Sequence, residues 1–465
     1  MRGMTARDHR SSLVVTALSA AFGAGLIQAT SYLAVIVSGN DISQHAAVQT
    51  ALAMVAGVFI LIAVYVGAIV TANTFATIIA GRTRTIALLR LIGSSASAMR
   101  RSVAREGLVV GLVGSVIGAV VGLGLAIGAI RIAVAAGAVP DLDYGMVDPL
   151  VVLPIAIVVL STWAASWVGS RRVLRVTPIQ AAGTAQEATR EETLRRPVRN
   201  TIAGIFFFGG LLILLLGVLL GLVSIIGFPV AFFGGLFSFT GIVLGAHLLM
   251  PPVLRLSGRL LGRSAPARLA GENAVRYPER SSRTAIGLVI GVTLITTFAV
   301  AAEGYSTMLR QAAAGEPERY QGTDQILTVT LGVLTALIGF SAIIAAIGMI
   351  NNLSLSVLQR TRELGLLRAL GFTARQVRGM IVAESAQMTI SAVGLGFVLG
   401  IVYGWAGAQS LLGSIPGGFG LVLPSVPWLL LVILAIGATA LTLAAAQAPA
   451  RRATTVSPVL ALAVD

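Results

Sequence analysis

Few side chains in this sequence could make or break a covalent bond. There is no cysteine, which excludes thiol nucleophiles, disulfides and thiolate metal sites. The 33 basic residues are all arginine. A phosphate-cradling P-loop closes on a lysine and a Schiff base needs an amine, so the chain is not expected to hydrolyse ATP and no catalytic residue is assigned. His9, His45 and His247 are far apart and read as interface or loop residues, so no metal site is expected. What remains is recognition chemistry, and it occurs twice. Residues 82–93 read RTRTIALLRLIG and residues 360–371 read RTRELGLLRALG, identical at seven of twelve positions.

In the second segment Leu364, Leu367 and Leu370 recur at i, i+3 and i+6, flanked by Arg360, Arg362 and Arg368. That is an apolar stripe on a short helix. Gly371 can stop it in the left-handed region. Thr373-Ala374-Arg375-Gln376 then has the form of a capping box opening the next helix. The first segment repeats the pattern with Ile86, Leu89, Ile92 and Gly93. Two readings stand at this point. Such a helix lies on lipid headgroups, held by Arg and Leu, or it docks a cytoplasmic partner.

The elements that must position these segments are membrane spans. Hydrophobic residues make up 56% of the 465 and charged ones 11%, and the mean hydropathy is +0.92. A soluble domain has about a quarter of its residues charged. Apolar runs predict ten helices, about 13–37, 50–80, 107–130, 150–170, 201–225, 228–250, 285–302, 326–350, 380–404 and 426–447. All but three of the 33 arginines (Arg131, Arg310 and Arg319) fall on one side of that pattern. The positive-inside rule makes that side cytoplasmic, with both termini there. The first span reads as a retained anchor rather than a cleaved signal. The net charge of +15 is thus assigned to topology and membrane lipid, and no nucleic-acid partner is expected.

The two segments belong to a longer repeat. At the same offset of 278, Asn73 matches Asn351, Arg100 matches Arg378, Glu106 matches Glu384, Gly118 matches Gly396 and Gly122 matches Gly400. At 280, Arg171-Arg172, Val176 and Pro178 match Arg451-Arg452, Val456 and Pro458; Arg10-Ser11-Ser12 resembles Arg280-Ser281-Ser282. The expected fold is all-α and polytopic: a four-helix module over 1–180, a linker and two-helix insert over 181–270, and a second four-helix module over 271–465. An even insert keeps the modules parallel, unlike the inverted repeats of many secondary transporters.

With these residues the chain resembles the FtsX/MacB-like permeases of ABC transporters, in a ten-span layout similar to the bacitracin-efflux kind. The resemblance implies that each Arg-Leu helix is a coupling helix seated in a separate ATPase subunit. Carried over by position, these are Arg360, Arg362, Glu363, Leu364, Gly365, Leu367, Arg368 and Gly371, and Arg82, Arg84, Leu88, Leu89, Arg90 and Gly93. Thr85 and Ala87 replace the Glu and Gly in the first copy, so the second helix is expected to be the stronger contact. ATP and Mg are implied in the partner, and no cofactor in this chain. Two ATPase copies are implied per chain, in a bacterial cytoplasmic (plasma) membrane, acting on an amphipathic or hydrophobic substrate. The large extracytoplasmic domain common in the family has no room in loops 38–49 and 303–325.

Other residues carry paired readings. Gly107, Gly111, Gly114, Gly118 and Gly122, and Gly396, Gly400 and Gly404, form small-residue stripes that serve close helix packing or a sliding hinge. Glu106 and Glu384 either snorkel beside arginines or relay coupling-helix movement into the membrane. The clusters Phe206-Phe207-Phe208 and Phe232-Phe233 are lipid-facing filler or a hydrophobic path. No ionisable residue falls mid-span, which disfavours ion-driven transport. The reading is therefore a permease subunit driven by an external ATPase; the alternative is a membrane scaffold or signalling protein with another cytoplasmic partner.

Overall fold

The computed structural model describes residues 6–38, 93–137, 139–170, 197–259, 278–315, 366–414 and 420–455, with a few isolated positions between them. The described elements are helices, in two compact units, Met1–Gln186 and Glu187–Asp465. Among the described residues six helical segments are long and apolar enough to cross a membrane: Ser97–Ala135, Pro149–Val168, Pro197–Gly221, Gly227–Leu244, Ala285–Gly315 and Ala374–Leu412. The expected spans 50–80 and 326–350 lie outside the described residues, apart from scattered positions.

In the first unit, α1 (Ala6–Ser38) and α3 (Val152–Gly169) both pack on α2 (Ala96–Ala135). Glycine spacing decides the contact. A Cβ on Gly118 or Gly122 would fall on the backbone of Ala17 or Ala21, and one on Gly114 would meet Thr16. Gly107 and Gly111 face Ser166 and Thr162 of α3. Lipid removes the hydrophobic drive between helices, so backbone-close packing of this kind supplies the attraction instead. Ala24, Ile27, Ala119 and Val151 form the buried core beside it. The α2–α3 connection is pinned to α1: the Asp148 backbone N–H donates to Gln28 Oε1 at 3.0 Å, while the Asp148 side chain caps the turn at Leu150 N, 2.8 Å.

The second unit contains α4 (Pro197–Gly221), α5 (Gly227–Leu244), α6 (Ala246–Gly258), α7 (Pro278–Gly315), α8 (Ala374–Leu412) and α9 (Trp428–Thr455). Helices α4 and α5 form a hairpin whose backbones touch at Gly210, Gly217, Gly234 and Gly241. Helix α7 lies along α8, with Gly396, Gly400 and Gly404 against Val292, Thr296 and Val300. A buried Thr389–Thr442 hydroxyl pair, 2.8 Å apart, ties α8 to α9.

Several boundaries differ from the sequence reading. Helices α2, α7 and α8 have 40, 38 and 39 residues, whereas about 20 suffice to cross a bilayer core. Hydropathy finds only their apolar stretch; the flanking polar turns stay helical because nothing in them breaks a helix. For that reason 303–325 is not one loop: α7 continues to Gly315, where the Gly-Glu-Pro sequence ends it. The expected single span 228–250 is broken at Gly245 into α5 and α6. His247 is no loop residue: it sits in α6 at 3% exposure. Its Nε2 lies 2.9 Å from Asn200 Oδ1, and the Arg199 guanidinium lies 2.8 Å from its Nδ1. Finally, Ala17 and Ala21 of α1 stand against Gly118 and Gly122 as Val292 and Thr296 of α7 stand against Gly396 and Gly400. These are equivalent places at an offset of 275, so the short Arg-Ser-Ser match is out of register by five residues.

Candidate functional site

The described part of the second Arg-Leu segment is a helix–turn–helix. A helical turn at 366–369 ends at Gly371, whose φ is +99°. The Phe372 N–H reaches back to Leu367 O at 3.0 Å and the Gly371 N–H to Arg368 O at 3.1 Å. These two bonds define a Schellman motif. Leu367 and Phe372 both pack on the buried cluster of Val377, Met380 and Ile381 at the start of α8. Thr373 then caps α8. Its Oγ1 accepts from Gln376 N at 3.2 Å, and Gln376 Oε1 accepts from Thr373 N at 2.9 Å, a reciprocal capping box.

The first unit has the same turn with fewer bonds. Gly93 has φ +98°, and the Ser95 side chain accepts from Ala98 N at 3.2 Å. With alanine at the third helical position there is no side chain to return the bond. An added contact fixes this lead-in differently: the Arg100 guanidinium stacks 3.9 Å over Trp167 of α3, which itself stacks on Trp163. Its repeat mate Arg378 is exposed.

Arg82, Arg84, Leu88, Leu89 and Arg90 lie outside the described residues, as do Arg360, Arg362, Glu363, Leu364 and Gly365. Gly93, Leu367, Arg368 and Gly371 are described. The stripe chosen from sequence is divided in space: Leu367 turns inward, whereas Leu366 and Leu370 are 51% and 72% exposed. Neither a period of three nor one of four could settle that over so short a helix. Glu106 is half-buried and Glu384 is 6% exposed, each about a dozen residues past its helix cap.

Sequence reasoning also passed over three polar residues on α8. Gln387 donates from Nε2 to Leu254 O at 2.7 Å, Ser391 lies 2.6 Å from Ser257, and the Tyr403 hydroxyl lies 2.9 Å from Ser238. Polar residues inside an apolar run were the available signal. On the same helix Gln409 clasps the backbone of the α8–α9 connection, donating to Gly420 O at 2.6 Å and accepting from Val422 N at 2.9 Å.

The turn geometry makes a stability prediction. Gly371→Ala places a Cβ at positive φ and should cost about 1–2 kcal/mol. Gly379→Ala, at an open helical site, should gain up to about 1 kcal/mol. Thermal unfolding of the full chain in detergent should show shifts of opposite sign. Shifts of the same sign would rule out the Schellman geometry.

Comparison with known proteins places this arrangement. The family described as "FtsX-like permease C-terminal" matches residues 57–178 and again 335–458, together more than half the chain. The two matches start 278 residues apart and end 280 apart, the offsets of the internal repeat. An uncharacterized ABC transporter permease, YknZ of Bacillus subtilis, is 30% identical over 96 residues, 21% of this chain and 23% of that protein. The ABC transporter permease YtrF of the same organism is 27% identical over 133 residues, covering 26% and 30%. The macrolide export ATP-binding/permease protein MacB of Wolinella succinogenes is 32% identical over 144 residues, covering 31% and 20%. The chain therefore spans less than a third of the length of each of these relatives.

Proposed function

We propose, for a chain that belongs to the FtsX-like permease family, that it is the permease subunit of an ATP-driven ABC transporter and carries both transmembrane modules in one polypeptide. The modules are 1–180 and 271–465, each of four spans and parallel, joined by the linker and insert of 181–270. Both termini are cytoplasmic, and the membrane is a bacterial plasma membrane. The arginine distribution supports that orientation.

The carrying observation is the duplicated turn. Gly93 and Gly371 hold nearly the same positive φ, and each is followed two residues later by a hydroxyl cap opening a long helix. A rigid turn ahead of an unbroken helix of some 40 residues is a lever: displacement of the Arg-Leu helix moves the whole rod. The motion comes from outside this chain, because no lysine is present to build a P-loop. One coupling helix per module calls for two ATPase subunits, which supply ATP and Mg. Glu106 and Glu384 lie along the rods, where they transmit the turn's movement into the bilayer. The substrate is amphipathic or hydrophobic, consistent with spans that hold no charged centre.

Native mass spectrometry of the chain co-expressed with its candidate ATPase tests this reading. One permease with two ATPases is expected. A 2:2 complex would overturn the fused-module stoichiometry, and no complex with any ATPase would overturn the permease in favour of a membrane scaffold.

A further inference from the structure

The internal repeat allows the two long rods to be compared face by face. On α8 one face is covered by the insert. Gln387 and Ser391 hold α6 through Leu254 O and Ser257, and Tyr403 bonds Ser238 of α5. Ala406 packs among Leu214, Val218 and Ala231, and Ser410 sits where Gly221 has no side chain. Gln387, Ser391, Ala406 and Ser410 are each at most 2% exposed.

The same positions on α2, at the offset of 278, are Val109, Val113, Leu125, Gly128 and Ile132. Val109 is 60% exposed where Gln387 is 1%, Val113 is 44% where Ser391 is 2%, and Ile132 is 71% where Ser410 is fully buried. Between them Val121 is 51% exposed where its mate Leu399 is half-buried, and Leu125 is 62% exposed. Every polar group that holds the insert on α8 is replaced on α2 by a branched hydrocarbon.

That replacement determines the occupant. Within a bilayer, Val and Leu surfaces gain nothing by leaving lipid for another apolar helix. Association there rests on small residues that admit a backbone and on polar pairs. Gly107, Gly111, Gly114, Gly118 and Gly122 of α2 are already used against α1 and α3, while Gly124 and Gly128 stay open among the exposed Val121, Leu125 and Ile132. The outward face has no polar side chain at the repeat positions. We propose that this face of α2 is a wall for bilayer acyl chains, and that the α4–α6 insert is a module-specific cover reserving the equivalent face of α8 from lipid. The two modules are thus alike in their turns and unlike in their sides. A molecule dissolved in the membrane meets the first module's rod directly and the second module's insert.

The inference rests on the chain spanning a bilayer as two modules, and its test is independent of ATPase binding. Because the chain has no cysteine, single variants Val113→Cys, Val121→Cys, Ser391→Cys and Leu399→Cys can each carry one nitroxide without background. The full chain is reconstituted in phosphatidylcholine/phosphatidylglycerol vesicles. Collision rates with oxygen, which concentrates in lipid, and with a water-soluble nickel chelate are then measured. Oxygen accessibility should be several-fold higher at 113 and 121 than at 391 and 399, with little nickel access at any of the four. Equal protection at 113 and 391 would overturn the proposal by showing protein over α2. Spin–spin broadening between copies labelled at 113 would overturn it in favour of a dimer face, and nickel access at 113 in favour of a water-lined path. Failure of the ATPase complex with high oxygen access at 113 and 121 would fault the transporter reading alone.

Discussion

An alanine at Gly118 should prevent α1 from closing on α2. A Cβ there would occupy the carbonyl position of Ala17, and a backbone carbonyl inside a helix cannot move aside without loss of its own hydrogen bond. Relief requires the two axes to separate, which also opens the contacts of Gly114 and Gly122 on the same face. The cost should reach about 3 kcal/mol, the upper end of ordinary overpacking. Gly396→Ala, the repeat mate, should cost less, because its new Cβ meets Val292 Cγ1 and Cβ at 2.7 and 2.8 Å, a shallower overlap than that on the Ala17 carbonyl and one relieved by a smaller shift of the helix. Gly124→Ala faces open space and should be neutral or mildly stabilising. The order Gly118, Gly396, Gly124 is to be read from thermal midpoints and monodisperse yield in detergent. Equal behaviour of Gly118→Ala and Gly124→Ala would show that these helices do not pack at backbone distance.

The features legible in the sequence are those where backbone geometry dictates residue type. A left-handed turn selects glycine, so Gly93 and Gly371 stood out, and a reciprocal cap selects Thr with Gln three residues on. Close helix contact selects glycine at steps of three and four, which marked α2 and α8. The rest depended on distances that a linear pattern does not carry. Hydropathy sees the apolar part of a helix, so the continuation of α7 to Gly315 was missed. The division of the 228–250 run at Gly245 came from a bent backbone that no periodicity encodes. Docking of the insert rests on Gln387, Ser391 and Tyr403 meeting Leu254, Ser257 and Ser238 across more than a hundred residues of chain. The three-residue match at Arg280 was too short to fix register against the packing of two whole helices.

The leucines of the turn for which a coupling role is proposed provide the second large effect, and the structure changes which of them to alter. Leu367→Asp would push a carboxylate into the contact with Val377, Met380 and Ile381. It would therefore unfold the turn, at a cost of several kcal/mol for an unpaired charge moved from water, and lose ATPase coupling for a reason unrelated to docking. Leu370 is 72% exposed and Leu366 51%, so they are the side chains that a cytoplasmic groove could receive. Leu370→Asp should lower the thermal midpoint by no more than about 2 °C, since the exposed side chain loses no packing and an acid in the last helical turn costs about 0.3–1 kcal/mol. If Leu370 is an anchor, the same change should weaken ATPase binding by about 30-fold or more, the effect of losing some 2 kcal/mol at an interface hot spot. At the repeat offset its mate is Ile92. The first module has no reciprocal cap, and Thr85 and Ala87 stand where the second has Glu363 and Gly365. Ile92→Asp should therefore cost less affinity than Leu370→Asp, and Leu89→Asp less coupling than Leu367→Asp. Equal losses at Ile92 and Leu370 would make the two docking helices equivalent, and the asymmetry of the chain would then reside only in the insert.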